Sequence, residues 1–528
     1  MRHGGKIPNI LLILTVFITA SIFHTVSADH LDVPGTGEAS GSEDRSNATL
    51  NTEREEMHLD VLKGRPSEKF PGYRYPQVPL DVENYPIGPD GLELEQVHIY
   101  VRHGERTPVG VRMNDPPASI PDHWMLCKMA RRFQASVSSL LGVPIERIPH
   151  LKEGESGSED VLQTKKIVER KDGSAAEGEC LLGELTDLGR QSTYSFGRDL
   201  RRLYIDRLGF LPDTLSDKDS VYFRTTNMPR TIDSLLEIMH GLYPATKCQP
   251  DIVPPYFVRN GKDENLIGNT YACKRLEILQ VGFATAAAQA FNPSLEPLDK
   301  KLSKYIDGNP IRVDGKPRAS GIMDTASFKP IPCTNRVLMI RAALAHGIKV
   351  PPEFTDKSVV DVIDVSTQAD FVDEHKTEEV RRLGMGRLLD EMTRKMQHKS
   401  EHAESDPLKI LVHSTHDTAI AALCSTFDVY DERWPAFTAS ISFELFKKAP
   451  QFQSGFSQAI LSRLGSPSPQ HYVRMRYQNK NMILPMCAQD GDHLEGHPEF
   501  CTLEAFQARV KELTPEDWDA ECLPSGKA

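Results

Sequence analysis

The stretch Val97-His98-Ile99-Tyr100-Val101-Arg102-His103-Gly104-Glu105-Arg106-Thr107-Pro108 decides how this chain is read. Its first five residues are mostly apolar and β-leaning, as a buried strand requires. Two arginines then bracket a histidine, and Gly104 and Pro108 break the regular pattern. A strand that ends this way delivers positive charge and a nucleophile to one point. Such a point suits an oxyanion, a phosphate ester above all.

Two more segments share the design. Phe223-Arg224-Thr225-Thr226-Asn227-Met228-Pro229-Arg230 is again a short strand ending in arginine, and Ile410-Leu411-Val412-His413-Ser414-Thr415-His416-Asp417 is an apolar strand ending in a His-Asp pair. In open α/β sheets, ligands collect beyond the carboxyl ends of strands, so the three ends predict one shared pocket. Further strands are expected at Ser440–Leu445 and Tyr472–Tyr477. Between them lie helical stripes: Phe196, Leu200, Leu203, Tyr204; Ile232, Leu235, Leu236, Met239; Met385, Leu388, Leu389, Met392, Met396; and Leu503, Phe506, Val510, Leu513. Trp124 to Leu141 also reads as helical.

Helices alternating with strands imply an α/β core, expected over about 88–235 and 405–485. The stretch from about 240 to 400 carries helix and loop signals and reads as a helical second lobe inserted between core strands. The polar run at 152–179 reads as a surface insertion, within an ordered domain spanning 88–523.

Each group has a physical task. The planar fork of arginine donates parallel hydrogen bonds to phosphate oxygens, which suits Arg102, Arg106 and Arg224. Phosphoryl transfer has a loose transition state, so catalysis is largely positioning and charge stabilisation. His103 is the candidate nucleophile, attacking phosphorus through a neutral ring nitrogen. Asp417 is the candidate proton donor to the leaving alkoxide, and His416 a hydrogen-bond donor to the phosphate. For Arg230, structural pairing and substrate contact weigh equally. His413 and His416, three apart, lack a carboxylate or cysteine partner at metal-ligand spacing, so no metal is expected; His413 reads as strand packing.

The chain has 528 residues, enough for two to four units at about 100–200 residues each. A net charge of −12 disfavours nucleic-acid binding. Arg2 and Lys6 precede an apolar run from Ile10 to Phe23, and Val26 and Ala28 fit a cleavage site, so residues 1–28 read as a secretory signal. An uncleaved signal anchor is the alternative; no stable membrane insertion is expected once the signal is removed. Residues 29–87 read as a flexible leader carrying one N-glycosylation sequon at Asn47. Nine cysteines without a C-x-x-C pair suit disulfides in a secreted chain, with Cys424 the candidate for a buried free thiol.

Arg102-His103-Gly104-x-Arg106-x-Pro108 with His416-Asp417 closely resembles the histidine acid phosphatases, branch 2 of the histidine phosphatase superfamily, from about Leu94 to Cys522. Arg224 to Thr231 looks like that family's second arginine motif. Asp428 to Phe437, leading into Phe443-Glu444-Leu445, is similar to lysophosphatidic acid phosphatase and its prostatic relatives. The resemblance implies a phosphoglycerate-mutase-like α/β core with a helical lobe forming the substrate wall, and no cofactor. It implies His103 as nucleophile, Asp417 as proton donor, and Arg102, Arg106, Arg224 and His416 as phosphate ligands. It also implies the disulfides Cys273–Cys522 and Cys487–Cys501. Glu105 departs from the family's usual alanine or aspartate. It is expected to point away from phosphate and pair with a cation.

The resulting expectation is a secreted acid phosphatase acting on phosphate monoesters through a phosphohistidine. Neighbouring arginines keep His103 neutral below its ordinary pKa of about 6.5, while Asp417 must be protonated to serve the leaving group. The alternatives are a dedicated lysophosphatidic acid phosphatase, a phytase-like enzyme, or a catalytically silent anion-binding protein on the same fold.

Overall fold

The computed structural model describes residues 78–111, 113–129, 133–134, 163–164, 166–315, 318–323, 340–448 and 470–524. The chain divides into two units, Met1–Lys63 and Gly64–Ala528, and every described residue belongs to the second. The expected signal (1–28), most of the expected leader, Asn47 and Cys333 lie outside the described residues.

The second unit is organised by a nine-stranded mixed sheet. Its strands are β1 (Leu92–Arg102), β2 (Val221–Thr225), β3 (Tyr256–Val258), β4 (Ile410–Thr415), β5 (Ser440–Lys448), β6 (Gln470–Tyr477), β7 (Lys480–Asn481), β8 (His493–Leu494) and β9 (His497–Thr502). They run in the order β8-β9-β6-β5-β1-β4-β2-β3, with β7 hanging on β6. β1, β4, β2 and β3 are mutually parallel, and β5, β6 and β9 continue the sheet antiparallel. Register pairs Arg102 with Thr415 and Thr225 with Ser414, so β1, β4 and β2 finish side by side. From Gln96 onward β1 is buried without interruption, because helices cover both faces of the parallel part.

One face packs Val97, Ile99, Val101, Phe223, Ile410 and Val412 against α1 (Asp187–Arg201) and α2 (Pro229–Leu242). The other packs Tyr100, Phe443 and Met475 against the helices carrying Met385 to Met396 and Leu503 to Leu513, and against the helix Asp417–Thr426. A separate apolar cluster containing Leu295, Ile340, Phe354 and Ile363 forms the core of the helical lobe. Its main helices are α3 (Lys274–Leu295) and α4 (Lys357–Glu374); α5 (Arg387–Glu401), α6 (Asp417–Thr426) and α7 (Leu503–Leu513) belong to the sheet.

Several boundaries move. β3 lies inside the stretch assigned to the lobe, and α5 packs on the sheet, so the lobe is shorter than 240–400. The sheet runs past 485 to Thr502. Trp124 to Met129 is irregular and Phe133–Gln134 pairs with Gln163–Thr164 as a short ribbon, in place of the expected helix; 135–141 lies outside the described residues. The last part of the leader is anchored. Tyr85 is buried and its hydroxyl donates to Glu444 at 2.8 Å, and that carboxylate also holds the buried Arg474 at 2.8 Å. The stripe on α2 is rotated, with Thr231, Ser234, Leu235 and Ile238 buried and Ile232, Leu236 and Met239 partly exposed. Gly197 and Gly241 explain this. A Cβ on either would strike the backbone of the opposing helix, so α1 and α2 meet through their smallest residues.

The pairs Cys273–Cys522 and Cys487–Cys501 are bonded, as the resemblance implied. A third bond, Cys127–Cys180, was not expected; it joins the flanks of the polar insertion. Cys424 is a buried free thiol and Cys248 a partly exposed one.

Candidate active site

The three strand ends converge. His103 follows β1 directly, and its backbone N–H donates to Thr415 O at 3.0 Å, locking it to the end of β4. Gly104 is required by close packing rather than by its dihedral angles. A Cβ there would collide with the Gly189 carbonyl, and one on Gly189 would collide with the Glu105 carbonyl. The α1 start is thus pressed against the histidine turn, where Thr186 caps the helix by accepting from Gly189 N–H.

His103 is buried, with Nδ1 2.8 Å from Gly104 O. A carbonyl can only accept, so Nδ1 carries the proton and Nε2 keeps its lone pair. Burial first, then the charges of Arg230, Arg102 and Arg106, hold its pKa well below the ordinary value of 6.5. Both effects favour the neutral ring. His416 lies edge-on at 5.6 Å between ring centroids and bonds Thr226 Oγ1 through Nε2 at 2.9 Å. Burial, reinforced by Arg230, pushes its pKa down to about 3.

Asp417 opens α6 and is also buried. Its Oδ1 accepts from Thr418 N–H at 2.9 Å, and its Oδ2 accepts from the Trp434 indole at 3.1 Å and forms an ion pair with the Arg102 guanidinium at 2.8 Å. Burial works to raise its pKa, but Arg102, then Arg106 and the Trp434 bond, prevail and hold it below the ordinary carboxyl value. Arg102 also donates to Pro435 O at 2.6 Å, and its guanidinium carbon stacks 4.2 Å from the Phe437 ring centre. Arg106 faces the same ring at 5.9 Å.

The expectation for Arg224 requires correction. Strand alternation turns this residue to the face shared with Tyr100 and His413, away from α1 and α2. There its fully buried fork donates to Glu264 at 2.7 Å and Asn265 at 2.6 Å, with Glu391 at 3.5 Å. Glu264 in turn accepts from the N–H groups of Asn265 and Leu266, and Leu266 O accepts from Thr415 Oγ1. Arg224 is therefore engaged by carboxylates behind the site. The arginine whose charge acts most strongly on His103 and His416 is Arg230, in the first turn of α2 beyond the strand end.

Glu105 is buried and also differs from expectation. Its carboxylate accepts from the Ser192 hydroxyl instead of pairing closely with a cation, and burial raises its pKa. His413 stacks on Tyr100 at 4.5 Å, in keeping with strand packing. Among the described residues no group of three or more His, Cys, Asp or Glu is arranged to hold a metal ion, and no helix is long and apolar enough to cross a membrane.

Sequence reasoning gave Trp434 and Phe437 no role in the site, although both lie in the stretch Asp428 to Phe437 that carries part of the resemblance. It underweighted Arg230, which a helix-start reading of Pro229 would have placed at the strand end.

Residues 93–478 match the model of the histidine phosphatase superfamily, branch 2. The chain is 32% identical over 473 residues to a Schizosaccharomyces pombe protein named as a probable acid phosphatase, covering 83% of this chain and 96% of the yeast protein. It is 24% identical over 357 residues to prostatic acid phosphatase of Bos taurus, covering 64% and 79%. Among solved structures it is similar to the apo form of Hafnia alvei phytase, with a TM-score of 0.47 and 16% identity over 81% of this chain and 98% of that one.

Proposed function

The chain belongs to branch 2 of the histidine phosphatase superfamily, and from that membership we propose that it hydrolyses phosphate monoesters as an acid phosphatase, through a phosphohistidine at His103. The observation that carries this reading is His103, whose Nε2 lone pair is free by tautomer, set beside the ring of His416, whose chain neighbour Asp417 is paired with Arg102.

Arg102, Arg106, Arg230 and His416 bind the nonbridging phosphate oxygens, with Arg230 in the role first assigned to Arg224. His103 Nε2 attacks phosphorus while the bond to the ester oxygen breaks, and Asp417 protonates that oxygen to release the alcohol. Water then attacks the phosphohistidine, Asp417 takes up its proton, and the P–N bond breaks to give phosphate and neutral His103. The low pKa of Asp417 fits this cycle. A phosphate dianion among the cations cancels the charge that depresses the carboxyl, so proton uptake accompanies substrate binding.

A secretory location is part of the proposal, supported by the signal-like N-terminus and by three disulfides among the described residues.

Hydrolysis of an aryl phosphate between about pH 4 and 7 tests the reading. His103→Ala should lose at least about 10³-fold in kcat, as removal of a nucleophile typically does. Near-normal turnover by that variant would sink it.

A further inference from the structure

The segment Trp434-Pro435-Ala436-Phe437-Thr438-Ala439 links α6 to β5 and holds several parts of the centre at once. Its Ala439 carbonyl accepts from Arg102 N–H at 2.9 Å, and Thr438 N–H donates to His103 O at 3.2 Å. Pro435 and Phe437 fix the Arg102 side chain from two directions. Trp434 reaches the other half of the centre. Its indole is 2% exposed, packs in the core beside α6, and donates to Asp417 Oδ2.

The bonds around Asp417 can be counted. Each carboxylate oxygen accepts about two hydrogen bonds. Oδ2 accepts from Trp434 at 3.1 Å and lies 2.8 Å from an Arg102 guanidinium nitrogen, an ion pair without hydrogen-bond geometry. Oδ1 uses one, on Thr418 N–H at 2.9 Å. Oδ2 thus carries both the indole bond and the guanidinium charge, whereas Oδ1 carries a single amide bond. An indole is donor-only and cannot take a proton, so the Trp434 bond does not invert when the carboxyl titrates.

We propose that Trp434 is a positioning residue for the phosphatase reaction: by occupying Oδ2 together with Arg102, it confines the transferable proton of Asp417 to Oδ1. The inference rests on the reading of Asp417 as proton donor. Without the indole, Oδ2 loses its one hydrogen bond and keeps only the Arg102 ion pair, and the proton divides between two oxygens, of which one serves the leaving group. The loss falls on esters that need protonation and spares those that do not.

The test compares Trp434→Phe with the unaltered full chain on an aryl phosphate, a good leaving group, and an alkyl phosphate, a poor one. The variant should lose about tenfold more in kcat on the alkyl ester, a fraction of the roughly 10²–10⁴ that general acid catalysis supplies. KM should change little. The pH limb set by Asp417 should move upward, because a carboxylate that loses a donor binds its proton more tightly. In an Asp417→Asn background the same substitution should add almost nothing. The ratio of the two rates does not depend on enzyme concentration, so it can be read on whatever folded fraction is recovered. Trp434→His, which keeps an N–H donor, should return part of the alkyl rate. Equal losses on both esters, or full additivity with Asp417→Asn, would overturn the role of Trp434. If the unaltered chain hydrolyses neither ester, the phosphatase reading fails first. If Asp417→Asn shows leaving-group selectivity and Trp434→Phe does not, the inference about Trp434 fails alone.

Discussion

Replacing Arg224 by Met removes a charge while leaving much of its bulk, and it separates a folding role from a substrate role. The guanidinium is 0% exposed, and the Glu264 side chain that it holds at 2.7 Å is 5% exposed. Arg259 still grips Glu391 at 2.9 Å in the variant, but Glu264 retains only backbone N–H partners. Removing one member of a buried pair costs about 3–5 kcal/mol, because the other charge stays buried. Counting the lost bonds to Glu264 and Asn265 at about 1.5–3 kcal/mol for a hydrogen bond involving a charged group gives the same order. Denaturant unfolding of Arg224→Met should therefore show about 3–5 kcal/mol less stability, with KM for an aryl phosphate nearly unchanged in the folded enzyme. Arg230→Met, altering a half-buried residue at a helix start, should do the opposite: a small stability change and a loss of about 10²–10³ in kcat/KM, typical of a deleted transition-state donor. If Arg224→Met proves as stable as the parent yet loses phosphate binding, the assignment of the two arginines is reversed.

Further tests follow from the site and its packing. Asp417→Asn should slow alkyl phosphates far more than aryl phosphates, and equal losses would remove its role as proton donor. The His416 pKa, pushed down to about 3 from 6.5, implies that the unfolded chain takes up this proton first as pH falls, so stability declines below about pH 6.5. An anion beside His416 favours its charged form, so sulfate, a dianion throughout this range, should raise the unfolding midpoint more near pH 4.5 than near pH 7.5. Equal protection at both would contradict the placement of His416 beside the bound anion. Gly189→Ala should abolish activity by forcing α1 away from the histidine turn, and a fully active variant would show that this close approach is dispensable.

The sheet and the gathering of three strand ends were legible because each strand is a short apolar run closed by a distinctive polar group. β1, β4 and β2 were found this way, each somewhat short, since strands gain residues wherever a neighbour supplies hydrogen bonds. Arg224 shows where such reading fails. A strand-end arginine in a linear motif does not reveal which face it occupies, and its partners Glu264, Asn265 and Glu391 lie at least 40 residues away. Glu105 fails for a related reason, since its partner Ser192 sits on a helix 87 positions on. Trp434 and Phe437 act from an irregular connection with no periodicity to mark them. The rotated stripe on α2 reflects a helix contact made by glycines, which a search for large apolar residues passes over.

The most direct measurement is rapid mixing of enzyme with phosphorus-32-labelled aryl phosphate, followed by an alkaline detergent quench and mapping of the labelled peptide. A covalent phosphohistidine at His103 predicts base-stable, acid-labile label on the peptide containing residues 102–106, absent from His103→Ala. Efficient turnover with no protein-bound label that builds up and decays with substrate, or with label on another residue, would contradict nucleophilic attack by His103.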